Sequence, residues 1–222
     1  TLNQQLQGIA LSPCSAKVVL LLEDGTVELT DTSTSKKCLV PARLLDSVID
    51  VAWYDSSQLL LIAEHELRFI DTDSLELVKI VRTETTLGPD LGYIPVPKII
   101  EHIREDKIVE LIDVDTGTLI QKLIHSDVVW GVDVSRDKSI AVTTSWDGFI
   151  RVWHVESGSL TRKICDGNSF GAVAISPDNE MIAVSEAESG YGMVSLWNTS
   201  IGISAHSKNI YEGFCSWYPV FS

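Results

Sequence analysis

A nine-residue segment recurs five times along the chain at near-constant spacing, and a period of this length limits the fold more than any other feature. The copies read Glu-Asp-Gly-Thr-Val-Glu-Leu-Thr-Asp at 23–31, Ala-Glu-His-Glu-Leu-Arg-Phe-Ile-Asp at 63–71 and Glu-Asp-Lys-Ile-Val-Glu-Leu-Ile-Asp at 105–113. Two more read Trp-Asp-Gly-Phe-Ile-Arg-Val-Trp-His at 146–154 and Gly-Tyr-Gly-Met-Val-Ser-Leu-Trp-Asn at 190–198. Aligned on Thr30, Ile70, Ile112, Trp153 and Trp197, they stand 40, 42, 41 and 44 residues apart. An acid sits six positions before the anchor in the first four copies: Asp24, Glu64, Asp106 and Asp147. Tyr191 takes that place in the fifth.

Each copy is a turn followed by an alternating strand. In the fourth, Phe149, Arg151 and Trp153 share one face, and Ile150 and Val152 the other. Apolar residues on both faces suit a strand buried between two sheets. A β-rich run precedes each turn, at 17–22, 58–62, 98–103, 138–144 and 180–184. Another precedes that, clearest at 128–134 and 171–175, and a fourth follows the anchor, as at 159–164. Four short strands per unit predict an all-β array. The stretch 83–96, with Gly88, Pro89, Gly92 and Pro95 and with Pro97 directly after it, fits least, and the first strand of the third unit is not evident there.

The fourth unit carries a family resemblance. His125-Ser126-Asp127, Ser145-Trp146-Asp147-Gly148 and Val152-Trp153 together resemble the His…Ser-x-Asp-Gly…Trp pattern of WD40 repeats. The fifth keeps Ile175-Ser176-Pro177-Asp178 and Leu196-Trp197. The first keeps Asp24-Gly25-Thr26-Val27 with Thr30 for Trp, and the third keeps Asp113-Val114-Asp115-Thr116-Gly117. The resemblance runs from about Gly8 to Gly213 and implies an all-β β-propeller with about five recognisable four-stranded blades. Their expected bounds are 8–45, 46–84, 85–124, 125–166 and 167–213, in a single domain over 1–222. Residues 1–7 read as the outer strand of a preceding blade. Residues 214–222, with Trp217, Tyr218 and Phe221, read as the start of a further one. WD40 propellers are most often seven-bladed, so the favoured expectation is an arc of a larger ring. A ring completed by a partner and a closed five-bladed ring are the competing readings.

The resemblance also implies roles. In the fourth blade His125, Asp147, Trp153 and a hydroxyl form a hydrogen-bonded chain: Asp147 accepts from His125, His125 meets the hydroxyl, and the hydroxyl meets the indole N–H. Thr143 and Ser145 point the same way along their strand, so either can supply the hydroxyl. The set reads as structural, because no nucleophile elbow or oxyanion motif accompanies it. Asp24, Glu64 and Asp106 are the corresponding turn acids of other blades, which lack the full set and are expected to rely more on apolar packing. The residue before the turn acid and the start of the innermost strand lie on one open face in WD40-like domains. That implies Trp146 and Trp130 in the fourth blade, with Glu23 and Glu105 in the first and third, as candidate partner-binding residues. Packing between blades is the competing reading of both tryptophans.

Charge narrows the partner. There are 31 acidic against 17 basic residues, a net charge of −14, and no basic run longer than Lys36-Lys37. Nucleic-acid affinity requires clustered cations, so direct binding to nucleic acid or to an anionic membrane is disfavoured. Other proteins with basic segments fit the field, although solubility alone also accounts for the acidity. His65, His102, His154 and His206 stand at no metal-ligand spacing and read as surface or structural. Cys14, Cys38, Cys165 and Cys215 form no C-x-x-C motif. No Gly-rich phosphate loop is present, and the inner strands are mostly apolar. The expectation is therefore no cofactor, no metal and no enzyme. Without an apolar run of about 20 residues or a signal peptide, the expected location is cytoplasmic, nuclear or both. The leading function is a non-catalytic protein–protein interaction scaffold within a multiprotein complex. The alternatives are a non-catalytic subunit of an RNA-processing or RNA-modifying complex and, further off, a propeller-fold enzyme.

Overall fold

The computed structural model describes residues 5–88, 91–94, 99–104, 107–165, 170–188, 191–200 and 204–212. These form five four-stranded sheets in which strands consecutive in the chain are neighbours. The first holds β1 (Leu6–Leu11), β2 (Lys17–Leu22), β3 (Val27–Asp31) and β4 (Lys37–Leu39). The second holds β5 (Val48–Trp53), β6 (Gln58–Ala63), β7 (Glu66–Asp71) and β8 (Leu77–Arg82). The third holds β9 (Leu91–Ile94), β10 (Ile99–Arg104), β11 (Ile108–Asp113) and β12 (Leu119–Ile124). The fourth holds β13 (Val129–Val134), β14 (Ile140–Ser145), β15 (Phe149–His154) and β16 (Ser159–Cys165). The fifth holds β17 (Phe170–Ile175), β18 (Met181–Glu188), β19 (Tyr191–Asn198) and β20 (Ser204–Glu212). A 3₁₀ turn at Ala42–Leu44 leads into β5.

Two expectations change. Leu6 and Gln7 belong to β1, so the first sheet starts two residues earlier than position 8 and these residues are not an outer strand of another blade. The first strand of the third sheet is Leu91–Ile94, a short segment between prolines whose Gly92 interrupts the alternation that would have revealed it.

The chain divides into two compact units, residues 1–100 with 112–119, and residues 101–111 with 120–222. In the first unit, Val19, Leu21, Val27 and Leu29 of the first sheet pack against Val51, Trp53, Leu59 and Leu61 of the second. The Trp53 indole donates to Ala10 O at 3.1 Å, which ties the two sheets by a hydrogen bond as well as by apolar contact. The second sheet uses its other face, with Leu60, Ile62, Leu67 and Phe69, against Ile100, Ile112 and Val114. Both faces of β6 are thus buried, as its unbroken apolar run Leu59–Ala63 requires.

In the second unit, Val142, Ile150, Val152 and Ile164 pack against Val173, Ile175, Ile182, Val184 and Trp197. The sheets approach closely because Gly131 has no side chain. A Cβ there would lie 2.8 Å from Gly171 O and 2.9 Å from Thr144 Oγ1. Asp133 bridges the same pair of sheets, accepting from Val134 N at 2.9 Å and Ile175 N at 2.7 Å.

One turn recurs between first and second strands. Ser12, Ser135 and Ser176 each accept, through Oγ, the N–H five residues on: Lys17 at 2.9 Å, Ile140 at 3.0 Å and Met181 at 2.9 Å. Their own N–H groups donate to the carbonyls of those residues. The turn requires a left-handed residue at its fourth position, filled by Ser15, Lys138 and Asn179 at φ 58°, 59° and 62°. A second device closes the third strand. Asp31, Asp71 and Asp113 each cap the N–H groups two and three residues on, at 2.8–3.1 Å.

Candidate functional site

The fourth sheet assembles a closed polar set. Thr143 Oγ1, fully buried on β14, accepts from Trp153 Nε1 at 2.9 Å and lies 2.8 Å from His125 Nε2. His125 Nδ1 lies 3.1 Å from Leu123 O, which can only accept. Nδ1 therefore carries the proton, and Thr143 donates its own hydrogen to Nε2. Every polar atom of the three side chains is used. Burial, reinforced by the nearby Arg151 charge, lowers the His125 pKa to about 4, so the ring is neutral.

Asp147 does not take the place expected for it. Its partners are the Arg151 guanidinium, which grips both carboxylate oxygens, and the Ser126 hydroxyl. A forked, charged donor on the adjoining strand binds a carboxylate more strongly than a neutral imidazole does. Burial alone would raise the Asp147 pKa, but Arg151 and Ser126 outweigh it and hold the group at about 2. Of the two hydroxyls left open by the sequence, Thr143 meets His125, whereas Ser145 Oγ donates to Asp127 O at 3.1 Å.

Asp24 and Glu64 lie on exposed turns. Asp24 accepts from Thr26 N at 2.9 Å, and Gly25 takes φ +79°, the value Gly148 takes after Asp147. Glu23 is exposed. Glu105 and Asp106 lie outside the described residues.

Among the described residues of the third sheet a different polar group fills this place. Repeat alignment puts His102 where Thr143 stands and Glu110 where Arg151 stands. His102 Nδ1 lies 3.5 Å from Glu110 Oε2, and Lys122 Nζ reaches Glu110 Oε1 at 2.8 Å. Glu110 is fully buried, so a Lys122–Glu110 ion pair beside His102 stands in place of the neutral set. Beside it, burial raises the Glu101 carboxyl well above the usual range, helped by the charge of Asp133. In the fifth sheet Trp197 Nε1 donates to Ser195 Oγ at 2.7 Å. Arg151, Lys122 and Glu110 had not been singled out in the sequence. The position of Arg151 and Glu110, two before the anchor, is charged in four of the five repeats (Glu28, Arg68, Glu110 and Arg151), so charge alone did not mark them out.

Trp130 and Trp146 are exposed, at 52% and 56%, with ring centroids 5.5 Å apart and planes tilted by 37°. Local backbone geometry brings them together. Val129 pairs with Ser145 and Gly131 with Thr144, leaving Trp130 as a bulged residue. A bulge re-aims a side chain out of strict alternation. Trp146, just past β14, donates its N–H to Val128 O at 2.9 Å, which fixes it beside that bulge. Register shifts recur at the same place in the first, second and fifth sheets. Among the described residues no group of three or more His, Cys, Asp or Glu could hold a metal, and no helix is long and apolar enough to cross a membrane.

Comparison with known proteins places these features. The family model "WD domain, G-beta repeat" (WD40) matches residues 117–154, which run from β12 through β15. The chain is 22% identical over 155 residues to human apoptotic protease-activating factor 1, covering 67% of this chain and 12% of that protein. It is 29% identical over 82 residues to eukaryotic translation initiation factor 3 subunit I of Aspergillus fumigatus, covering 36% of this chain and 24% of that protein. The aligned part is thus a minor share of either relative. The matched stretch carries the His125–Thr143–Trp153 set, four other sheets repeat the strand order of the fourth, and the all-β array of four-stranded sheets is consistent with WD40-type β-propeller blades.

Proposed function

We propose that the chain is a non-catalytic scaffold, a subunit of a multiprotein complex that holds protein partners at the blade ends where Trp130 and Trp146 stand. The observation that carries this reading is the exposed indole pair on an otherwise well-packed sheet. Aromatic side chains spared from the core are the usual anchors of protein interfaces. Similarity to a subunit of a translation initiation factor supports membership in an assembly. The absence of catalysis is supported by the polar set itself: His125, Thr143 and Asp147 are each saturated by neighbours in their own unit. The net charge of −14, with Glu23 and Glu64 exposed, supports a partner with basic segments and not a nucleic acid. Free Cys14 and Cys38 suit a reducing location, cytoplasmic or nuclear.

The blades belong, in this reading, to one larger propeller domain. Ile9 pairs with Leu20 and Leu11 with Val18, just as Val51 pairs with Leu61 and Trp53 with Leu59. The second sheet buries that face against the first, whereas Ile9 and Leu11 are 63% and 55% exposed. A further blade would fit there.

Charge reversal tests the function. Glu23→Lys with Glu105→Lys should reduce recovery of co-purifying proteins several-fold without lowering the thermal midpoint. Unchanged recovery at all salt concentrations would remove the acidic contribution.

A further inference from the structure

This inference rests on the interaction face proposed above and names what sits on it. We propose that the Trp130–Trp146 pair seats an arginine side chain from an extended segment of the partner protein.

The backbone carrying both indoles is held in place. Trp146 donates its backbone N–H to Val128 O, and Gly131, next to Trp130, sits where an added Cβ would meet Gly171 O, Thr144 Oγ1 and Val173 N. A backbone held in this way loses little conformational freedom on binding. Its exposed indole faces carry the negative side of the ring quadrupole and attract cations, tryptophan most strongly of the aromatics. A planar guanidinium can lie flat on one indole and meet the edge of the other, tilted by 37°. An ammonium is more strongly hydrated and has no such plane.

The carboxylates nearby divide the work. Asp147 is saturated by Arg151 and Ser126, so it organises the turn beneath Trp146 and does not compete for the ligand. Asp127 adjoins Val128, the backbone partner of Trp146, and its Oδ1 accepts from Val128 N at 2.9 Å. Its carboxylate is held at the same strand entry as the indoles. An apolar side chain would use the rings but gain nothing from Asp127 or from the net charge of −14. The same sheet already uses this chemistry, with Lys163 Nζ 3.5 Å from the centroid of Phe149.

The test uses three Gly/Ser peptides of about ten residues, alike except for three arginines, three citrullines or three leucines, titrated calorimetrically against the folded chain. The arginine peptide should bind about tenfold more tightly than the citrulline peptide. Trp130→Ala or Trp146→Ala should abolish that difference, and Asp127→Asn should reduce it about threefold. If an alanine variant unfolds, Trp130→Phe and Trp146→Phe serve instead and should keep part of the preference. Equal or tighter binding of the leucine peptide overturns the arginine assignment but leaves the interaction face standing. An arginine preference that survives loss of both indoles also overturns it, because diffuse charge then suffices. If no peptide binds, the assignment fails. Whether Trp146→Ala still releases co-purifying proteins then decides separately whether the face itself stands.

Discussion

Thr143 has no spare hydrogen-bonding capacity, and that makes it the most sensitive polar residue of the fourth sheet. Thr143→Val keeps the volume but leaves the Trp153 N–H and His125 Nε2 buried without partners. The expected loss is about 3 kcal/mol in urea unfolding, with Thr143→Ser recovering most of it. Two buried titrating groups act in opposite pH windows. His125 has a pKa of about 4 in the fold, below the ordinary histidine value, so the fold favours its neutral form. Its contribution is present above about pH 6.5 and is lost as pH falls toward 4. Its ring resonances should therefore show no titration midpoint near 6.5. Glu101 is raised, so its contribution is present below the unfolded carboxylate value and is lost as pH rises. Glu101→Gln should stabilise the protein increasingly over wild type from pH 5 upward, and a flat difference would contradict the burial argument. The neutral set was legible in the sequence because His125, Thr143 and Trp153 fall in a repeat pattern. The Asp147–Arg151 grip was not, because a pattern records positions and not the competition among donors for one carboxylate.

At the level of strands and turns, the alternating runs made nearly every strand readable. What alternation cannot show is a bulge. Strict period two would put Trp130 on the same face as Val128 and Val132, and the extra residue at Val129/Gly131 breaks that count. The family resemblance implied one face for both indoles, but the bulge that re-aims Trp130 toward it is visible only in the folded backbone. Gly131→Ala should shift or loosen this bulge, since the new Cβ meets backbone atoms of β17, and it should cost about 2 kcal/mol. The Ser-initiated turns make a converse prediction. Ser15 sits at φ 58° with its side chain exposed, so Ser15→Gly should raise stability by roughly 1 kcal/mol. A fall in the unfolding midpoint would show that the Ser15 side chain matters more than its backbone strain. The polar set His102–Glu110–Lys122 was hidden for a different reason. It puts His102 where Thr143 stands in the fourth repeat, and a repeat pattern does not record which charged side chains pair.

At the level of the whole molecule, repetition supplies the framework and departures from repetition supply the individuality. Five sheets share one strand order, yet the described polar interiors differ from sheet to sheet. The surface follows the same logic: a net charge of −14 surrounds a local exception, two exposed tryptophans on one blade. The account stands on those two residues being a binding surface and not an incidental exposure. The most direct measurement is quantitative co-purification from cells of wild-type protein and the Trp130→Ala/Trp146→Ala double variant, with thermal unfolding of both. The account predicts a defined set of proteins lost at least about tenfold from the variant, with an unfolding midpoint close to wild type. Retention of the same partners by a folded variant would contradict it.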